Sequence, residues 1–192
     1  MPSHAKLPCM NESENSVTIQ TKKLVVLGTS HQLQGKNFLK SIDDQCYRDL
    51  VEQLILVNRL DFVFEEAAGH SPTDAELLAK AGPLPIGYMD VDPSKDEREQ
   101  YGLSGDTGES YMVDLWQSPP CVARTEQIAK HAAREEFWLE RIRGQDFTFA
   151  LMICGDAHCL SFSFRLRDAG FDVESCINYM PYDKLCRHAG QS

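Results

Sequence analysis

The chain is short of basic residues and has no long apolar run. It has 19 Lys and Arg residues against 29 Asp and Glu residues, which gives a net charge of −10 and a pI near 5.0. This balance argues against nucleic-acid phosphates or an anionic membrane as partners. No stretch approaches the roughly 20 apolar residues that a membrane-spanning helix needs. The N-terminal segment also lacks the apolar core of a signal peptide, so we expect a cytoplasmic protein.

Several chemical signatures are missing as well. No Gly-x-Gly-x-x-Gly or phosphate-loop sequence occurs, which argues against the common nucleotide-binding motifs. Ser161 and Ser163 lack the flanking glycines of a nucleophile elbow, so a serine hydrolase is not expected. The 7 cysteines include no Cys-x-x-Cys pair. We therefore predict reduced core cysteines rather than a disulfide framework or a zinc–thiolate site.

The length predicts one domain. A chain of 192 residues buries a sizeable core without disulfides or structural metals. The polar segment 1–20 is predicted to be a flexible N-terminal tail, and residues 21–192 are predicted to form a single α/β domain.

Strand-like and helix-like patterns alternate along this domain. Apolar runs predict five strands, at residues 23–27, 61–64, 85–89, 149–154 and 172–177. Apolar stripes at helical spacing and helix-start or helix-stop residues predict helices at 36–59, 71–80, 124–143 and 157–169. The alternation predicts a layered α/β fold with a mostly parallel β-sheet of about five strands flanked by helices. Segment 90–120, rich in Asp, Gly, Ser and Pro, is predicted to be a lid or specificity loop, with a further helix as the alternative.

Two Gly-x-x-His tetrapeptides follow two of the predicted strands. They are Gly28-Thr-Ser-His31 and Gly155-Asp-Ala-His158. Because the carboxyl ends of parallel strands lie at one edge of a sheet, we predict that His31 and His158 face each other there. The alternative is structural, with glycines that permit tight turns and histidines that cap the loops.

Acidic residues follow two other strands. Glu65 and Glu66 come after the second strand, and since adjacent side chains point to opposite faces, only one of them is expected to reach the site. A glutamate beside a histidine acts as a general base, orients the imidazole, or joins it in binding a divalent metal. A solvated acidic turn is the alternative. Asp90 and Asp92, after the third strand, are interpreted as an acidic loop, with metal binding as the alternative.

The predicted helix 124–143 carries two further candidates. Glu135 lies on its apolar stripe, where a carboxylate is costly unless it has a partner, so we expect Glu135 to pair with an arginine or to reach the site. Arg134 is a candidate for stabilising an oxyanion. A surface ion-pair ladder is the alternative for Arg134.

The order of these motifs over residues 23–173 resembles the TraB, Tiki and erythromycin-esterase superfamily. The resemblance implies a site made of His31, His158 and either Glu65 or Glu66. TraB-like members carry Arg-Asn in the helix where this chain has Arg134 followed by a glutamate. Similarity to Tiki implies metal-dependent peptide cleavage, whereas similarity to erythromycin esterase implies a histidine-activated water without metal.

Taken together, these features predict a small intracellular hydrolase that cleaves an ester, lactone or peptide-like bond in a small-molecule or peptide substrate. Its predicted catalytic residues are His31, Glu65, Glu66, His158 and Arg134. A divalent metal, zinc or manganese, is the cofactor considered, held by His31, Glu65 and His158. The alternative is a non-catalytic ligand-binding or regulatory interaction protein on the same fold. The sequence predicts no oligomeric state.

Overall fold

The computed structural model describes residues 21–34, 42–67, 73–81, 86–103 and 120–179. The predicted tail, residues 1–20, lies outside them. The strands are β1 (Lys23–Thr29), β2 (Phe62–Glu65), β3 (Gly87–Asp90), β4 (Phe149–Gly155) and β5 (Asp172–Asn178). The helices are α1 (His31–Gln34), α2 (Ile42–Asn58), α3 (Asp74–Ala81), α4 (Lys95–Gln100), α5 (Pro120–Arg143) and α6 (Asp156–Asp168).

The strands form one parallel sheet in the order β3-β2-β4-β1-β5. This confirms the predicted layered α/β fold. β1 and β4, which carry the two Gly-x-x-His motifs, lie side by side and pair in register from Lys23 with Phe149 to Thr29 with Gly155. The two motifs therefore leave the sheet at the same edge.

Each face of the sheet is covered by its own helices. One core joins alternate strand residues to α5 and α6, and its largest members are Leu24, Phe64, Met152, Trp138, Ile142, Phe162 and Leu166. The other core joins the intervening residues to α2 and α3, with Leu27, Val63, Ile153, Tyr47, Val51 and Ala79 among its members. Because the central strands are buried on both faces, their sequences are continuous apolar runs instead of alternating ones.

All five strands end one or two residues beyond their predicted carboxyl ends, and this changes the interpretation of the motifs. β1 includes Gly28, β2 ends at Glu65, and β4 includes Gly155, so both motif glycines lie within strands rather than after them. At Gly28 the reason is packing. A Cβ atom there would lie 2.5 Å from the Cβ of Cys159, so only glycine lets α6 approach β1 this closely.

The helices differ from prediction mainly at their ends. α2 is described from Ile42, and α5 begins at Pro120 instead of residue 124. Within the segment predicted to be a lid, α4 forms with a reciprocal capping box between Ser94 and Glu97, and residues 104–119 lie outside the described ranges. None of the helices described is both long enough and apolar enough to cross a bilayer.

Replacing Gly28 by alanine is expected to destabilise the fold. The added methyl group meets the Cβ of Cys159 at 2.5 Å and its Sγ at 2.9 Å, so α6 must shift. Overpacking of this kind costs about 1–3 kcal/mol, which urea unfolding measures. Gly144→Ala is the matched control, because its Cβ would meet nothing closer than 3.5 Å. Equal unfolding midpoints for the two variants would show that Gly28 is not a packing glycine.

Candidate active site

The topology places the switch point of the sheet, where a ligand crevice is expected, between the carboxyl ends of β2 and β4. The connection after β2 runs through α3 to β3, on the face where Ala75 and Ala79 are buried. The connection after β4 runs through α6 to β5, in the opposite direction and on the face that contains Phe162. Adjacent strands whose connections diverge in this way form the switch point at which open α/β sheets bind ligands.

Glu66 lies across this crevice. Its Oε2 accepts a hydrogen bond of 2.7 Å from the backbone N–H of Gly155, at the end of β4. Its Oε1 lies 2.7 Å from Nη2 of Arg134, which projects from α5. Glu66 is only 1% exposed, so this charge is paired inside the protein. A single side chain therefore joins β2, β4 and α5.

Asp92 extends the same network. Nε of Arg134 donates to Oδ1 of Asp92 at 2.7 Å, and the guanidinium of Arg98 contacts the other carboxylate oxygen. The side chain of Asp92 is fully buried. Asp92 lies in the loop between β3 and α4, and the interpretation of this stretch as an acidic loop does not anticipate that its carboxylate is buried. The buried charge is stable here because two arginines offset its desolvation.

A second cluster centres on His158, which is 4% exposed. Its Nδ1 lies 3.0 Å from Oε1 of Glu135, and the hydroxyl of Ser161 donates to the same oxygen at 2.6 Å. Nε of Arg165 lies 3.4 Å from the other carboxylate oxygen. The prediction that Glu135 pairs with an arginine is confirmed by Arg165, and Glu135 also contacts His158, one of the predicted site residues.

These contacts fix the protonation pattern of the pair. Burial raises the pKa of Glu135, but the hydrogen bonds from His158 and Ser161 outweigh it and hold this pKa below its ordinary value. An ionised carboxylate only accepts hydrogen bonds, so Nδ1 of His158 carries the proton. In the neutral imidazole the lone pair is then on Nε2, which is the form a general base or a metal ligand requires.

Trp138 connects the two clusters. Its ring centroid lies 5.3 Å from the guanidinium carbon of Arg134 and 4.8 Å from the imidazole centroid of His158. The indole is fully buried, and within the described part of the chain its N–H has no hydrogen-bond partner. Arg134 and His158, two of the predicted site residues, therefore contact one aromatic side chain, and Arg134 in turn pairs with Glu66.

Glu65 lies on the opposite face of the sheet from His158. Its Oε1 accepts a hydrogen bond of 2.9 Å from Gln34, and its Oε2 accepts one of 2.9 Å from the hydroxyl of Tyr88 and one from Thr73. Burial raises the pKa of Glu65 to about 7, although these three hydrogen bonds oppose the rise. The prediction that Glu65 and Glu66 point to opposite faces is confirmed.

Of the three predicted metal ligands, Glu65 and His158 lie apart in the structure. His31 begins α1 directly after β1, but its side chain lies outside the description, so its approach to His158 stays a prediction. The other two predicted ligands, Glu65 and His158, are on different faces and have different hydrogen-bond partners. Among the residues that the structure describes, no three or more His, Cys, Asp or Glu side chains form a group able to hold a metal ion.

Sequence reasoning missed several residues of these clusters. His131 packs against His158 in a tilted arrangement, with ring centroids 4.3 Å apart. Its position could have been found, because residues 131, 135 and 138 form one stripe on a helix at spacings of four and three. Gln34, Thr73 and Tyr88 carried no comparable signal, because they come from separate elements that only the folded sheet brings together.

Comparisons with protein-family models, with curated proteins and with solved structures find no match to this chain. Its function is therefore inferred from the geometry of these side chains.

Glu65 is expected to make stability depend on pH. Its pKa is raised to about 7 in the folded protein, so between its ordinary value and pH 7 the folded state binds more protons than the unfolded one. This contribution is complete below the unfolded pKa and is lost as the pH rises through 7, with an upper limit of about 3 kcal/mol.

Glu65→Gln should remove that dependence. In urea unfolding at about pH 5 and about pH 8, the wild type should lose stability relative to Glu65→Gln as the pH rises. Glu140→Gln, at an exposed position of α5, is the control and should keep the wild-type profile. Parallel profiles for Glu65→Gln and the wild type would contradict the raised pKa.

Proposed function

We propose that this chain is a small hydrolase with its site at the carboxyl ends of β2 and β4, acting on an ester, lactone or peptide-like bond of a small-molecule or peptide substrate. The observation that supports this most is the Glu135–His158 pair, with Nδ1 3.0 Å from the carboxylate beside the crevice. A buried carboxylate that fixes the imidazole tautomer is a recurrent arrangement for general-base catalysis of acyl transfer.

In this proposal Nε2 of His158 accepts a proton from water as the water oxygen bonds to the substrate carbonyl carbon. Glu135 stabilises the imidazolium that forms. When the carbonyl re-forms, the bond to the leaving group breaks and His158 returns the proton to that group. In the same proposal His31, which begins α1 after the neighbouring strand β1, takes part in this proton transfer together with His158.

The remaining side chains supply charge and donors. Arg134 brings a cation to the crevice. Its guanidinium, which pairs with Glu66 and Asp92, would stabilise the negative charge of a developing oxyanion. The buried N–H of Trp138 is a further donor at this position. Glu66 is held by Gly155 and Arg134, which suits positioning of the cation, and Glu65 serves as a neutralisable acid on the other face.

The relation to the TraB, Tiki and erythromycin-esterase superfamily is part of this proposal. It is supported by the order of the two Gly-x-x-His motifs, the glutamate pair and the arginine-bearing helix on a parallel α/β sheet. The cytoplasmic location inferred from the sequence likewise stays a prediction.

Replacing either member of the histidine–carboxylate pair tests the mechanism. Using 4-nitrophenyl esters, a lactone and short peptides as probes, we expect His158→Asn to lower kcat/KM by about 10²–10⁴, the usual contribution of a general base. Glu135→Gln should lower it at least about tenfold, since the tautomer is no longer fixed. His31→Ala should also lose activity while circular dichroism shows a folded protein.

Ser161→Ala is the matched control for this pair. Ser161 donates to the same carboxylate oxygen as His158, so its loss leaves the imidazole contact in place and should change kcat/KM by less than about tenfold. Complete loss of activity in Ser161→Ala would indicate that the serine is the nucleophile and would overturn the proposed attack by water. Ligand binding without hydrolysis by the wild type would favour the non-catalytic alternative.

Metal removal tests the metal-dependent version separately. The described donors do not fit a resident ion, because both oxygens of Glu65 accept hydrogen bonds from Gln34, Tyr88 and Thr73 and Nδ1 of His158 contacts Glu135. We therefore expect hydrolysis and Tm to survive dialysis against EDTA, with elemental analysis as the check. Loss of both, reversed by zinc or manganese, would contradict this expectation and show that the hydrolysis depends on a metal.

A further inference from the structure

Two thiols lie in contact beside the candidate site. Cys159 follows His158 in the first turn of α6, and Cys176 lies in β5. Their Sγ atoms are 3.2 Å apart. A disulfide needs about 2.05 Å between the sulfurs, so the thiols need to approach by only roughly 1 Å.

The surroundings orient both thiols toward each other's segment. Sγ of Cys159 lies 3.4 Å from the carbonyl oxygen of Ile177 in β5, and Sγ of Cys176 lies 3.6 Å from the carbonyl oxygen of Cys159. A third cysteine, Cys154, is fully buried at the end of β4. The contact between α6 and β5 therefore holds this one thiol pair in position.

The two thiols differ in access. Cys176 is exposed, on a strand that forms one edge of the described sheet, whereas Cys159 is 2% exposed. Burial, together with the neighbouring Cys176 thiol, raises the pKa of Cys159 to about 12, so it stays protonated. Burial also raises the pKa of Cys154 well above its ordinary value. An oxidant from solution therefore reaches Cys176 first.

We propose that Cys159 and Cys176 are a modification site that forms a reversible intramolecular disulfide when the protein meets a hydroperoxide. The inference does not depend on the proposed hydrolysis. The prediction that the cysteines are reduced core residues is wrong for Cys176, which is exposed.

The reaction balances with hydrogen peroxide as the oxidant. The Cys176 sulfur, as thiolate, attacks one peroxide oxygen, the O–O bond breaks, and the other oxygen leaves as water after taking up a proton, so that Cys176 becomes a sulfenic acid. The Cys159 sulfur then attacks that sulfur, the S–O bond breaks, and the hydroxyl leaves with the Cys159 proton as water. Two thiols are oxidised, and one peroxide is reduced to two waters.

The disulfide would fasten the first turn of α6 to β5. Cys159 packs directly on Gly28 of β1, so this turn is already in close contact with the sheet. A covalent link there restrains the segment between Cys159 and Cys176 in the unfolded chain as well. We expect the oxidised protein to have a higher Tm than the reduced protein, and dithiothreitol to reverse the increase.

The test is peroxide titration of the full reduced chain. After exposure to a few equivalents of hydrogen peroxide, free thiols are blocked with N-ethylmaleimide and the protein is analysed by mass spectrometry. We expect two fewer maleimide groups, a mass about 2 Da lower before blocking, and one cross-linked peptide pair that joins Cys159 to Cys176. Dithiothreitol should restore both thiols.

Serine variants assign the bond. Cys176→Ser and Cys159→Ser should each abolish the cross-link, whereas Cys46→Ser, which removes an exposed thiol on α2, should leave it unchanged. If Cys159→Ser does not fold, Cys176→Ser on the edge strand carries the assignment. A cross-link through Cys154, a disulfide between two chains, over-oxidation of Cys176 without a cross-link, or no reaction would each overturn the proposal.

Discussion

The ion pair between Glu66 and Arg134 is the constraint on which the candidate site depends. A carboxylate that is 1% exposed is stable only if its charge is offset, and Arg134 supplies the offset across 2.7 Å. To do so, α5 must lie against the carboxyl edge of the sheet. The next residue on that helix, Glu135, is then placed against His158 of α6. The pairing that satisfies one buried charge also assembles the histidine–carboxylate pair.

Two adjacent glutamates show how environment decides chemical role. Glu66 contacts the guanidinium of Arg134 and accepts a hydrogen bond from the backbone N–H of Gly155. Glu65 is surrounded by the neutral donors of Gln34, Thr73 and Tyr88, which offset its desolvation only in part, so its pKa rises to about 7. The same edge of the sheet therefore carries one carboxylate paired with an arginine and one carboxyl that titrates near neutrality. Divergent environments of this kind are what separates the roles of paired carboxylates in active sites.

Sequence patterns predicted the elements well because the period of the apolar residues follows directly from backbone geometry. The apolar stripe predicted for the helix that carries Glu135 was correct for the same reason. Glu135 stood out on it because a carboxylate in a core-facing position needs a partner. Strand ends were missed by one or two residues, because Gly28 and Glu65 are poor strand formers that tertiary packing holds in place. The sheet order and the partners of Glu65 are long-range properties that no local pattern contains.

The two Gly-x-x-His motifs share a sequence pattern, but their glycines act through different interactions. Gly155 contributes its backbone N–H to Glu66, so it acts through a hydrogen bond at the crevice. Gly28 contributes the absence of a side chain, because Cys159 occupies the space that a Cβ would fill. Since Cys159 is the neighbour of His158, the glycine of the first motif determines how closely the histidine of the second motif approaches the sheet. The motifs are therefore coupled through packing, and a larger residue at position 28 would displace the imidazole without touching it.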